Sequence, residues 1–152
     1  MLKLRKTVAI NAPVSEVFAY LSEPENLLEI WPSMQEIKNV KAEKNGGYEF
    51  DWVYKMAGVR FHGHSETVAL EPNHLIVRKN ERGIPSTFRW TFEDHGDTTV
   101  FTSEVDYEMP GGLLGKLAQP FVRGVNEREA DLFDANLKAR CEAAHAMAHP
   151  QA

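Results

Sequence analysis

The chain has 152 residues, 43% of them apolar and 26% charged, which fits one globular domain whose core needs neither metal nor disulfide to hold it. Its 22 acidic residues outnumber 17 basic ones, and Lys and Arg are scattered, which argues against nucleic acid or anionic membrane as a partner. The single Cys141 rules out an internal disulfide, the apolar stretch Val8 to Ile10 is too short for a signal core, and no apolar run approaches the roughly 20 residues of a membrane-spanning helix, so a cytoplasmic location is expected.

Leu2 to Asn11 alternates with the two-residue period of a half-buried strand. Pro13 then favours a helix start, and Val14, Val17, Phe18 and Leu21 share one face of a short helix. Ser22 with Glu25 has the form of a capping box for a second short helix carrying Leu27, Leu28 and Trp31. From there to Tyr107 the pattern predicts an antiparallel meander, with strands near Met34 to Glu43, Tyr48 to Met56, Phe61 to Leu70, His74 to Lys79, Ser86 to Glu93 and Thr98 to Tyr107. The breaks carry turn chemistry at Asn45-Gly46-Gly47, Ala57-Gly58, Glu71-Pro72-Asn73, Gly83-Ile84-Pro85 and His95-Gly96-Asp97.

Pro110-Gly111-Gly112 ends the sheet, and one long helical pattern follows. Its apolar face is expected to hold Leu114, Leu117, Phe121, Val125 and Leu132, with Val122, Phe133 and Leu137 beside them, a kink or lead-in helix at Pro120, and a frayed tail from His145. The domain is expected to span residues 1–148.

A long helix cannot fill the concavity of a strongly curved sheet, so a cavity is expected between them. Its natural lining is Phe50, Trp52, Tyr54 and Met56 on one strand, Phe88, Trp90 and Phe92 on another, and Phe101, Val105 and Tyr107 on the last, faced by Phe121, Val125, Glu129 and Phe133 of the helix. Aromatics at period two are also what plain core packing produces, and residue types alone favour that reading.

The residues Ile10-Asn11-Ala12-Pro13, Val17-Phe18, Leu21-Ser22, Pro24-Glu25-Asn26-Leu27 and Trp31-Pro32 form one half of a signature. Glu71-Pro72, Phe88-Arg89-Trp90-Thr91-Phe92, Pro110-Gly111-Gly112, Leu114-Gly115 and Asn136-Leu137-Lys138 form the other. In this order the sequence resembles the START-like superfamily, which includes polyketide cyclases, Bet v 1-like proteins and the CoxG-like and coenzyme Q-binding proteins. The resemblance implies an α+β helix-grip fold, a curved sheet of about seven strands with two short helices and a long C-terminal helix. It also implies a hydrophobic or amphipathic ligand such as a lipid, polyketide or quinone, and does not specify which.

His62 and His64 share a strand face, with Glu66 the next residue on it, but the set lacks a fourth ligand and is read as polar surface, so no metal site is assigned. That strand's inward face is ambiguous, since Val68 and Leu70 favour even positions and Phe61 and Ala69 odd ones, unless a bulge intervenes. There is no Gly-x-Ser-x-Gly elbow, phosphate loop or His-Glu-x-x-His, and no cofactor is expected. Glu129 falls within the apolar helix stripe and requires a partner, water or a functional reason. Asn136 lies near the same meridian, while Arg128 points to the edge. Three readings follow: a non-catalytic binder of a hydrophobic molecule; a cofactor-independent cyclase or dehydratase with Glu129 as candidate acid or base; and an interaction domain with a vestigial cavity. Oligomeric state is not legible.

Overall fold

The period-two alternation of the first ten residues becomes β1, Leu2–Ile10, in the computed structural model, which describes residues 2–56, 58–108 and 119–149, with side chains in the last helix from Arg123 onward. Six further strands follow as β2 (Met34–Ala42), β3 (Tyr48–Met56), β4 (Val59–Glu71), β5 (Leu75–Arg82), β6 (Ser86–Asp94) and β7 (Thr99–Tyr107). They form one antiparallel sheet in the order β1-β7-β6-β5-β4-β3-β2, so each consecutive pair from β2 onward is a hairpin and β1 closes against the last strand. Connections of a few residues permit only this pairing. The architecture is an α+β helix-grip fold, with the sheet curved around a long helix.

Positive φ angles fall where the turn chemistry sits, at Gly46, Gly58, Asn73, Gly83 and Gly96, and at Asn39 inside β2, where the pairing with β3 shifts register. A different demand falls on Gly63, where a Cβ would lie 2.1 Å from the Trp52 ring. The Trp52 indole therefore lies flat over β4 and reaches β5, where its Nε1 donates to Asn80 Oδ1 at 3.0 Å.

The ambiguity of β4 resolves through bulges. Its register shifts between His64 and Ser65 and again between Thr67 and Ala69. Phe61, Ser65 and Thr67 are buried on the concave side, His62 is exposed, and Val68, which suggested the opposite phase, is 51% exposed.

The first helix, α1 (Val14–Ser22), buries Val14, Val17 and Leu21 as its spacing requires. The capping box does not form, because the Ser22 hydroxyl turns back to donate to the Phe18 carbonyl at 2.7 Å. Instead Asn26 Nδ2 donates to the Tyr20 carbonyl at 2.8 Å, and Pro24–Asn26 forms a 3-10 turn leading into a single helical turn, α2 (Leu27–Ile30).

The long helix α3, Gln119–Ala148, lies across the concave face. The end was expected to fray from His145, but helical hydrogen bonding continues to His149, whose N–H donates to the His145 carbonyl at 3.0 Å. The phase of its buried stripe also differs from the expectation. Phe133, Asp134, Leu137 and Cys141 are buried, while Leu132 is 41% exposed. The expected Pro110-Gly111-Gly112 break, Leu114 and Leu117, like the side chains of Pro120, Phe121 and Val122, lie outside the described residues.

Candidate functional site

The concave face of the sheet and the underside of α3 leave a cavity of about 120 Å³ between them. Its sheet walls are the alternate residues Phe50, Trp52 and Tyr54 of β3, Phe88 and Trp90 of β6 and Tyr107 of β7, and its helix wall includes Glu129 and Phe133. Three of the residues expected there, Phe92, Phe101 and Val125, do not line it, and Phe101 is fully buried core. Phe92 is on the correct face but one pair further along, packed edge-on against Phe18 of α1 at 5.2 Å and against Phe101 at 5.4 Å, where it is core. Val125 is turned off the stripe by the helix phase and does not line the cavity.

Trp31 sits at the junction of the walls. Its ring meets Tyr54, Phe88 and Phe133 edge-on at 5.6, 5.4 and 5.4 Å, arrangements in which a positive ring edge faces a negative ring face. Trp90 continues this cluster to Phe133 at 5.8 Å and Phe101 at 6.2 Å. The apolar part of the site is thus a rigid set of rings donated by the end of α2, the sheet and α3.

Arg78 is the polar centre of that apolar space. It alternates with Ile76 and Asn80 on the concave side of β5, is 4% exposed, and holds its guanidinium carbon 5.0 Å from the Phe50 ring and 5.3 Å from the Trp90 ring. Its Nε and Nη1 are buried and have no hydrogen-bond partner among the described residues. Burial lowers its pKa to about 10, so it remains charged at neutral pH. Stacking on two aromatic faces offsets part of the desolvation, but each unmade bond to a charged donor still costs at least about 1–3 kcal/mol.

Glu129 is held rather than free. Its Oε1 accepts from the Ser33 backbone N–H at 2.7 Å, tying α3 to the segment that follows α2. Nearby, burial and then the Glu129 charge push the Tyr54 phenol above its ordinary range, so it stays a hydroxyl. Glu129→Gln is expected to keep an oxygen acceptor there but lose its charge, costing about 1 kcal/mol in urea unfolding. A loss above about 3 kcal/mol would mean that the charge answers a cation rather than one backbone donor.

Asp134 is the second carboxyl of the cavity wall and is 8% exposed. Burial first, and Asp131 second, push its pKa up to about 6 against the opposing pull of Lys6. Asn126 donates to the Tyr107 hydroxyl at 2.9 Å at the other end of the helix wall. Asn136 is not in the cavity, since its Nδ2 donates to the Ile30 carbonyl at 3.1 Å and satisfies the end of α2.

Sequence reasoning missed Trp31, Arg78 and Asp134. Leu75-Ile76-Val77 is apolar on both faces, so alternation did not say which side of β5 Arg78 takes. Asp134 was missed because Leu132 was taken as a face marker, which rotated the stripe.

A curved antiparallel sheet gripping a long helix over an aromatic cavity is the architecture of a START-like protein. The chain belongs to the family described as polyketide cyclase / dehydrase and lipid transport, whose model matches residues 1–142. An uncharacterized protein of Mycobacterium tuberculosis, from strains CDC 1551 and H37Rv, is 28% identical over 138 residues, 89% of this chain and 61% of that one. The chain therefore spans about three fifths of the length of those curated relatives. Among solved structures, TTHA0849 from Thermus thermophilus aligns with a TM-score of 0.79 at 19% identity, covering 94% of this chain and 99% of that one. The ZhuI aromatase/cyclase from Streptomyces sp. R1128 aligns with a TM-score of 0.76 at 17% identity, covering 93% of each chain. At these identities the likeness is one of fold.

Proposed function

We propose that the protein binds a compact amphipathic small molecule in this cavity, with an apolar body between the aromatic walls and a hydrogen-bond acceptor on Arg78. The observation that carries the reading is the pair of Arg78 donors that no described residue partners in an apolar chamber, a cost that an acceptor on the ligand would remove. A carboxylate, enolate or ketone oxygen has the required lone pairs, and a bond from a guanidinium N–H to an anionic acceptor is charge-assisted and stronger than a neutral one. The family's description, which spans cyclases, dehydrases and lipid transport, supports a hydrophobic ligand of this kind. The volume of about 120 Å³ suits a single aromatic ring, since a cavity of about 150 Å³ accommodates benzene.

Arg78→Met tests the reading, because Met fills similar space without the charge. Stability is expected to stay level or rise, since removing an unpaired buried charge relieves its desolvation. Benzoate and toluene, titrated while following the Trp90 indole N–H by NMR, differ chiefly in the acceptor. Wild type should prefer benzoate by about tenfold or more, the equivalent of one charged hydrogen bond, and Arg78→Met should lose that preference. Equal affinity for both compounds in wild type would defeat the proposal.

A second reading, a cyclase or dehydratase, is favoured by Asp134 alone. A carboxyl that changes protonation near pH 6 in the same cavity as a fixed guanidinium could move a proton to or from a substrate whose oxyanion Arg78 stabilises. Its test is turnover of an aromatic polyketide-like substrate. A rate that follows a single pKa near 6 and collapses in Asp134→Asn supports catalysis, while binding without turnover returns the first reading.

A further inference from the structure

The second cluster of chemically capable side chains lies at the far end of α3, away from the cavity. Glu16 stands on the flank of α1, and His145 and His149 occupy positions i and i+4 on the last turns of α3, hence one face of the helix. His145 Nδ1 is 2.8 Å from Glu16 Oε2, and the His149 ring lies beside that of His145 with centroids 4.6 Å apart. One donor atom from each of the three residues falls within 4.8 Å of the other two.

We infer that Glu16, His145 and His149 form a site for a divalent transition-metal cation, zinc in the first instance. Bonds of about 2.0–2.1 Å place tetrahedral donors about 3.3 Å apart, so the two imidazoles and the carboxylate reach that geometry by small side-chain rotations at a partly exposed edge. The donor set selects the ion. Two imidazoles and one carboxylate suit zinc, nickel or copper, whereas magnesium and calcium take oxygen ligands. One carboxylate and two neutral rings also answer a dication with a single negative charge, leaving one coordination position for water.

The surroundings keep the three groups available. Glu142, one turn earlier on α3, is already engaged by the Asn11 N–H and Lys138, and Cys141 is buried with its thiol pushed up to about 12, first by burial. The other set with ligand spacing among the described residues, Glu49, His64 and Glu66, has one imidazole only. There His64 Nδ1 is already engaged by Asp51 at 2.7 Å, and that contact, after the Asn39 bond, lowers the Asp51 pKa. An ion at Glu16, His145 and His149 would tie α1 to the end of α3 across 129 residues of sequence, a staple for helices whose core does not require it.

The experiment is a zinc titration of untagged, chelator-stripped protein by calorimetry, with melting curves recorded in zinc and in magnesium. One zinc ion per chain should bind, and the melting temperature should rise in zinc and not in magnesium, because an ion that binds only the folded state stabilises it. His145→Ala and His149→Ala should each weaken zinc affinity by more than about tenfold and remove the rise, whereas His64→Ala should leave both unchanged. His149 is exposed, so its variant keeps the fold. Zinc binding that survives His149→Ala, binding lost in His64→Ala, or the absence of a zinc-dependent rise would each overturn the site.

Discussion

Trp90→Ala is expected to lower stability by about 3–5 kcal/mol, the range for truncating a buried large aromatic. Trp90 is 2% exposed, and its ring contacts Phe88 on its own strand, Phe101 on β7 and Phe133 on α3, so its removal opens all three walls at once. It also removes one of the two aromatic faces that hold the Arg78 guanidinium. The adjacent cavity makes collapse around the deletion harder, because the neighbours have no opposing surface to close onto. Trp90→Phe keeps a ring over the guanidinium and should lose less than half as much. Urea unfolding decides the matter: the midpoint should fall with an unchanged slope, and a loss below about 1 kcal/mol would place the indole in open space rather than in the wall.

The sheet was legible because each strand carries its own punctuation. The bounds of β3 coincide with the expected run from Tyr48 to Met56, since aromatic residues at period two and glycine turns agree about them. Helix phase was harder, because α3 is amphipathic only weakly, with apolar residues at both Leu132 and Phe133 and the charged Asp134 on the buried side. Pattern reading assumes that burial follows polarity, and this helix breaks that rule where it faces the cavity. The same assumption hid Arg78. A charged residue on a strand is assigned to solvent by default, and only the folded sheet places its donors between Phe50 and Trp90. The contact of Glu16 with His145 was invisible for a simpler reason, since nothing local connects residues 129 apart. What a sequence shows of such a fold is its apolar frame, while the polar groups that give the frame a purpose are exceptions to the pattern.

Asp134→Asn is expected to stabilise the protein above pH 6 and to have little effect at pH 4. The folded carboxyl titrates near 6 against an ordinary value of 3.8, chiefly through burial. Below about pH 4 the carboxyl is protonated in both folded and unfolded chains, and the favourable contribution is fully present. As the pH rises the unfolded chain releases its proton first, the folded state must follow near pH 6, and the stabilisation is lost across that window. At about 1.4 kcal/mol per unit, the rise to about 6 amounts to roughly 3 kcal/mol at most, less where water reaches the carboxyl. Asparagine keeps the shape and stays neutral. Asp51 and Glu142, with lowered pKa values, stabilise in the opposite direction and weaken the protein as acid is added, so the difference between variant and wild type is the quantity to follow. Urea unfolding of both proteins from pH 4 to pH 8 should show the two stabilities meeting at the acid end and the variant pulling ahead between pH 4 and pH 6. A constant difference across the range would mean that Asp134 keeps an ordinary pKa. A ligand anion seated on Arg78 would sharpen the contrast, since a second negative charge in the cavity with Asp134 favours the protonated acid and moves the window to higher pH.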